Sequence, residues 1–149
     1  AASDVYKRQT IDRMDAKEST LRIVDYKTGG NPKIPANIEQ LFTPSETRPN
    51  YIFQTFLYAS IMCRQQTLKV APALLYIHRA ASDSYSPVIE MGEPRQPKIP
   101  VNNFTFFEDE FRKRLQTLLE EIFSENEPFT QTEDIKKCSY CDFKAICKR

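Results

Sequence analysis

The chain has 149 residues, 40% of them hydrophobic and 28% charged, and carries a formal net charge of +1. That is one globular domain's worth of chain with enough length for a core. The charge excludes a nucleic-acid binder working through a global positive field, and no apolar run approaches the roughly 18 residues of a membrane span.

No secretory signal is visible, so the expected location is the cytoplasm. The chain opens without an initiator Met, and Ala1–Gln9 runs straight into the first patterned stretch. That start reads as a fragment, or as a non-native leader of residues 1–9 joined near Gln9. Ile11–Asp15 and Ile23–Gly29 then read as two short strands joined by a polar turn, Ala16 to Thr20. Residues i and i+2 of a strand share a face, so Asp25 and Lys27 project together while Val24 and Tyr26 face the other way. Asp12 joins them if it sits opposite Asp25 in an antiparallel pair. That register needs Ala16 opposite Leu21 and a four-residue loop, Lys17–Thr20. A slip of one residue would turn Asp12 to the wrong face.

Gly29-Gly30 releases the second strand. The connection from Asn31 to Asn50 carries Pro32, Pro35, Pro44 and Pro49 and has room for a helical turn or two at Ala36–Phe42. Connections of this length are functional or mobile, which makes residues 31–50 a candidate substrate-contacting lid, with a tolerated surface insertion as the alternative. Tyr51–Gln66 reads as a helix capped by Asn50, with Pro49 blocking upstream extension. Ile52, Phe53, Phe56, Leu57, Ala59 and Ile61 make it apolar around most of its circumference, as for a helix packed on a sheet. Gln54 and Tyr58 share one face at i and i+4 and need polar partners there.

Val70–Arg79 reads as a buried strand with a polar tail, Val88–Met91 as its hairpin partner, and Gly92–Pro100 as a loop. His78, the only histidine, sits at a strand end, where a structural or exposed role is the commoner one. Thr105–Glu108 fits the capping box S/T-x-x-E and opens a helix running to about Ser124. Phe107, Phe111, Leu115, Leu118, Leu119, Ile122 and Phe123 form its apolar stripe. The chain ends in K-K-C-S-Y-C-D-F-K-A-I-C-K-R, with Cys138, Cys141 and Cys147 spaced C-x2-C-x5-C and the remaining cysteine at Cys63. Three thiols in ten residues of a cytosolic chain favour metal ligation over disulfides, and zinc and iron–sulfur clusters both accept such thiolates. Lys136, Lys137 and Lys144 form a local basic cluster near the same end, a candidate nucleic-acid contact together with Arg13.

Two carboxylates and an amine on one face suit a hard divalent cation, Mg2+ or Mn2+, with Asp12 and Asp25 as ligands and the carbonyl of Tyr26 as a third. The lysine then neutralises a developing anion or orients an attacking water, which is chemistry for hydrolysing a phosphodiester. An isolated D-x-K is more often an ordinary surface ion pair. Here the order of motifs argues otherwise. I-D-R-M-D, a short gap, and I-V-D-Y-K-T-G resemble the nuclease core of the PD-(D/E)XK superfamily, and Q-T-F-L-Y resembles that family's Q-x-x-x-Y motif. The closest likeness is to the RecB/AddB-type branch, whose members degrade or resect DNA in recombination and repair or act in CRISPR adaptation.

The resemblance implies an α/β (α+β) restriction-endonuclease-like core, a central mixed sheet flanked by helices and closed by a C-terminal Cys-rich clasp. It makes Asp12, Asp25 and Lys27 the metal-binding and catalytic residues, with Gln54 and Tyr58 arranging the lysine or the substrate. DNA is then the substrate, and a helicase subunit or domain a partner. C-x-Y-C-D-F-x-x-I-C resembles the clasp of relatives that carry a [4Fe–4S] cluster, whose fourth cysteine lies far upstream and is missing here. Cys63 is better read as a small core hydrophobe than as that fourth ligand. The family's glycine two residues before I-D-R is Gln9 here, and its upstream acidic or histidine ligand has no counterpart, Asp4 being the only nearby acid. Two other readings compete: a non-cutting nuclease-fold module that binds DNA or steadies a larger partner, and a small zinc protein whose D-x-K is incidental.

Overall fold

A computed structural model describes residues 10–126, 128 and 130–149; Asp4 and Gln9 lie outside the described residues. The first hairpin pairs β1 (Arg13–Lys17) with β2 (Thr20–Lys27) in the expected antiparallel register, Ala16 opposite Leu21 and Arg13 opposite Val24. Its turn is shorter than the expected four residues. Lys17 pairs with Thr20, so only Glu18 and Ser19 connect the strands, and Glu18 takes the positive φ of 55° that so tight a connection demands. Ile11 and Asp12 also lie outside the first strand, which starts at Arg13.

From β2 the chain passes through a single 3-10 turn (Glu39–Leu41) into helix α1 (Asn50–Cys63) and returns as β3 (Lys69–Tyr76), parallel to β2. The sheet order is β1-β2-β3, so β2 is central and the sheet is mixed. This three-stranded mixed sheet flanked by helices is consistent with the restriction-endonuclease-like core the sequence implies. Helix α1 lies on the face formed by Leu21 and Ile23 of β2 and Val70 and Leu74 of β3. Asn50 is the first residue of α1 and not its cap: Pro49 occupies that position, and its carbonyl accepts from Ile52 and Phe53. The connection from residue 31 to 50 is tied to the core by buried Ile38 and Leu41.

The outer edge of β3 shows why the expected hairpin with Val88–Met91 shrinks to one bridge, Ala73 to Val88. Pro72 has no N–H to offer. The Leu74 N–H is taken by the Pro87 carbonyl, and the Val70 carbonyl by the Phe104 N–H. The Tyr85 hydroxyl accepts from Tyr76 N at 2.9 Å and donates to the Leu74 carbonyl at 2.7 Å, standing in for a strand. With β3 satisfied in this way, β4 (Glu90–Met91) pairs instead with β5 (Ile99–Pro100), inside the stretch the sequence suggested was a loop.

Helix α2 (Thr105–Ile122) follows, but its capping box does not form. Thr105 is already inside the helix, and the Asn103 side chain accepts from its N–H at 3.2 Å. Phe111 is the anchor of α2, fully buried against Phe42, Phe53, Phe56 and Phe104 with ring centroids 5.3 to 6.0 Å away. Phe107 and Leu115 pack beside it, whereas Leu119 and Ile122 at the far end of the stripe are exposed. A short helix α3 (Ile135–Ser139), capped by the Asp134 side chain, leads into the terminal turns. No helix among the described residues is long and apolar enough to cross a membrane.

Candidate active site

The hairpin register, continued one step beyond Arg13 and Val24, sets Asp12 opposite Asp25 at the open end of β2. There β1 has not yet begun, and the Tyr26 N–H has no ladder partner. Asp12 Oδ2 takes that N–H at 2.8 Å, fixing an exposed carboxylate at the strand end. Asp25 itself is 3% exposed, in line with buried Leu21 and Ile23 on the face that α1 covers.

Lys27 follows on the same face. Its Nζ reaches Asp25 Oδ2 at 2.5 Å as a largely buried ion pair. The same ammonium donates to Gln54 Oε1 at 3.0 Å and lies 4.4 Å from the centroid of the Tyr51 ring. Gln54 Nε2 donates in turn to the Tyr58 hydroxyl at 2.7 Å. Asp25, Lys27, Gln54 and Tyr58 thus form one chain of contacts running from the sheet into α1. Burial pushes the Asp25 carboxyl above its ordinary range; the Lys27 charge opposes this, and the Asp12 charge adds to it.

Two carboxylates beside a strand-end carbonyl at Tyr26 are an oxygen donor set that fits a hard cation drawing the rest of its shell from water and phosphate. They are not a closed cage. Among the described residues no three His, Cys, Asp or Glu side chains gather closely enough to hold a metal.

The same holds for the expected cysteine clasp, which the structure does not display. Cys138, Cys141 and Cys147 are not brought together as a ligand set. The Cys138 thiol turns back along α3 to the Asp134 carbonyl at 3.8 Å, Cys141 is exposed, and neighbouring Tyr140, Phe143 and Ile146 pack on nothing that would force the thiols to converge. The residues as arranged do not fit an iron–sulfur cluster. Cys63 packs half-buried against the core, with burial raising its thiol pKa.

The basic residues are scattered. Arg13 sits on the opposite face of the sheet from Asp25, bridged to Asp15 at 3.0 Å. Lys136 pairs with Glu46 at 3.1 Å and Lys137 with Asp134 at 3.3 Å. Lys144, exposed in the terminal turns, joins no ion pair among the described residues. His78 is exposed in a 3-10 turn, edge-on to Tyr76. Tyr51 and Tyr76 border the site without having been singled out from sequence. Tyr51 stands three residues before Gln54, and that i, i+3 spacing was the available signal. Tyr76, paired with Lys27 across β2 and β3, carried no such signal, because a parallel partner cannot be read from local pattern.

A family model described as the PD-(D/E)XK nuclease superfamily matches residues 9–148. No curated protein and no solved structure gives a significant match.

Proposed function

The chain belongs to the PD-(D/E)XK nuclease superfamily, and from that footing we propose that it is a divalent-metal-dependent deoxyribonuclease with its chemistry at the end of β2. One observation carries the reading. Lys27 is held between Asp25 Oδ2 and Gln54 Oε1, in a pocket that costs a lysine and an aspartate much of their hydration. A surface ion pair with no task would keep that hydration.

Asp12, Asp25 and the Tyr26 carbonyl are the groups to hold Mg2+ or Mn2+, which when bound supplies an acidified water and neutralises phosphate charge. Asp12 is steered by the Tyr26 N–H, which leaves its second oxygen available. Lys27 presents a cation to the scissile phosphate or to the attacking water, and Gln54 fixes its direction. Tyr58, 4% exposed, fixes Gln54 in turn. Exonuclease action in recombination or repair, and a helicase subunit or domain as partner, rest on the likeness of the I-D-R, D-x-K and Q-x-x-x-Y motifs to the RecB/AddB-type branch.

The test is cleavage of labelled single- and double-stranded DNA in Mg2+, Mn2+ and EDTA, beside Lys27→Ala. Metal-dependent cleavage lost in Lys27→Ala is the expected result. Binding without cleavage in every metal would replace the enzyme with a DNA-holding module.

A further inference from the structure

Beside the end of β2 lies a hollow that the catalytic groups leave untouched. Two cavities, ≈ 250 and ≈ 460 Å3, share Lys33, Ile52 and Tyr76 in their walls and so adjoin. The smaller begins at Tyr51, the ring beside Lys27 Nζ, and the larger runs on past Arg79. Pockets that hold an organic ligand of a few hundred daltons span about 300–1,000 Å3. The hollow therefore has room for an unpaired nucleotide or two. It does not admit a base-paired helix, whose major groove alone is about 12 Å wide.

Its cations are held in an unusual way. Lys33 Nζ donates to the carbonyls of Thr47 and Arg48 at 2.9 and 3.1 Å. Arg48 Nε donates to the Leu41 carbonyl at 2.7 Å, its guanidinium 5.1 Å from the Phe53 ring centroid. Arg79 Nη2 donates to Asn31 Oδ1 at 3.1 Å. Neutral acceptors fix all three, and among the described residues none of them forms an ion pair. Carbonyl and amide oxygens set a cation's position without cancelling its charge, so the field stays available to an incoming anion. Lys136 and Lys137, by contrast, face Glu46 and Asp134. Glu90 is the one acid in the walls. Fixed cations spaced along a slot that starts at a 41% exposed tyrosine match the demands of a single nucleic-acid strand, which needs phosphate contacts and an aromatic surface for its bases.

We infer that this hollow is the track for an unpaired DNA strand, with Lys33 and Arg79 holding phosphates that flank the scissile one and Tyr51 marking where the strand meets Lys27. The inference rests on the nuclease reading and adds to it a preference for single strands.

The test is fluorescence anisotropy with a labelled single-stranded DNA oligonucleotide and a duplex of the same length, in EDTA so that no cleavage occurs. The proteins are wild type, Lys33→Ala, Arg79→Ala and Lys69→Ala, the last an exposed cation at the opposite end of β3. The single strand is expected to bind more tightly than the duplex. Lys33→Ala and Arg79→Ala should each weaken it about three- to tenfold and lower the salt slope by about 1, with Lys69→Ala unchanged. In Mg2+ the same variants should raise KM and keep kcat. Groove variants that bind like wild type, or that lose duplex and single strand equally, overturn the track. Arg79 is exposed and its side chain hydrogen-bonds only Asn31 among the described residues, so Arg79→Ala decides the matter even if Lys33→Ala fails to fold. A wild-type protein that binds through the groove and never cuts sinks the nuclease reading alone, whereas one that cuts equally well without the groove cations sinks the track alone.

Discussion

Gln54 Oε1 accepts a hydrogen bond from Lys27 Nζ at 3.0 Å, which couples helix α1 to the end of the central strand. Gln54 lies 27 positions further along the chain, and the Tyr58 hydroxyl fixes its amide. Removing either partner leaves Lys27 aimed only by Asp25 and the Tyr51 ring. Displacing a catalytic group by about 1 Å typically lowers the rate about a hundredfold. Gln54→Ala is therefore expected to cut kcat about 100-fold with little change in KM, and Tyr58→Phe by less. Single-turnover cleavage measures this directly; a Gln54→Ala enzyme with wild-type kcat would show that Lys27 needs no support from α1.

The Asp25 carboxyl titrates above its ordinary value of about 3.9, because burial disfavours its charge more than Lys27 restores it. The sign follows from the raised value. The folded state binds the proton more tightly than the unfolded one, so this group's contribution to stability is fully present below the ordinary carboxylate range and is lost as pH rises through the raised value. Metal binding runs the opposite way, because a ligand must be deprotonated. Cleavage is expected to fall on acidification sooner than ordinary aspartates would require, while acid destabilises the metal-free fold less than a count of its carboxylates suggests. Carboxylate NMR titration of Asp25 checks the direction, with Lys27→Ala expected to raise it further. An Asp25 that titrates at or below 3.9 in the metal-free protein would mean that Lys27 outweighs burial.

Tyr85 supplies hydrogen bonds to two backbone groups at the edge of β3. Tyr85→Phe keeps the ring and strands the Tyr76 N–H and the Leu74 carbonyl. Each unsatisfied buried group costs about 1–3 kcal/mol, so chemical denaturation should register a loss of about 2–6 kcal/mol for the two. A loss below about 0.5 kcal/mol would mean that water enters the edge and replaces the hydroxyl.

Gly30 has φ of 80°, and a Cβ there would stand 3.2 Å from the Tyr51 ring. Gly30→Ala carries the left-handed penalty of about 1–2 kcal/mol and pushes on the ring that Lys27 rests against. Both stability and cleavage should fall. Gly29→Ala, where an added Cβ meets nothing within 4 Å, is the matched control and should cleave as wild type does.

The sequence by itself determined the local geometry. Strand alternation puts Asp25 and Lys27 on one face, and a hairpin register with Ala16 opposite Leu21 sets Asp12 opposite Asp25, although the turn that delivers it is two residues long and not four. Helical spacing likewise put Gln54 and Tyr58 on a common face. It did not determine where helices are capped: Asn50 and Thr105 both have cap chemistry, yet Pro49 and Phe104 hold the cap positions, since a cap depends on where the chain turns. The tertiary structure alone decided that β3 runs parallel beside β2, that Tyr85 closes its outer edge, and that Lys33 and Arg79 line one hollow next to Lys27. The strand pairing and the hollow join residues tens of positions apart, and even the Tyr85 bonds reach 9 and 11 positions along the chain. Their energy comes from packing and from satisfying buried polar groups, and neither leaves a periodic trace in the sequence.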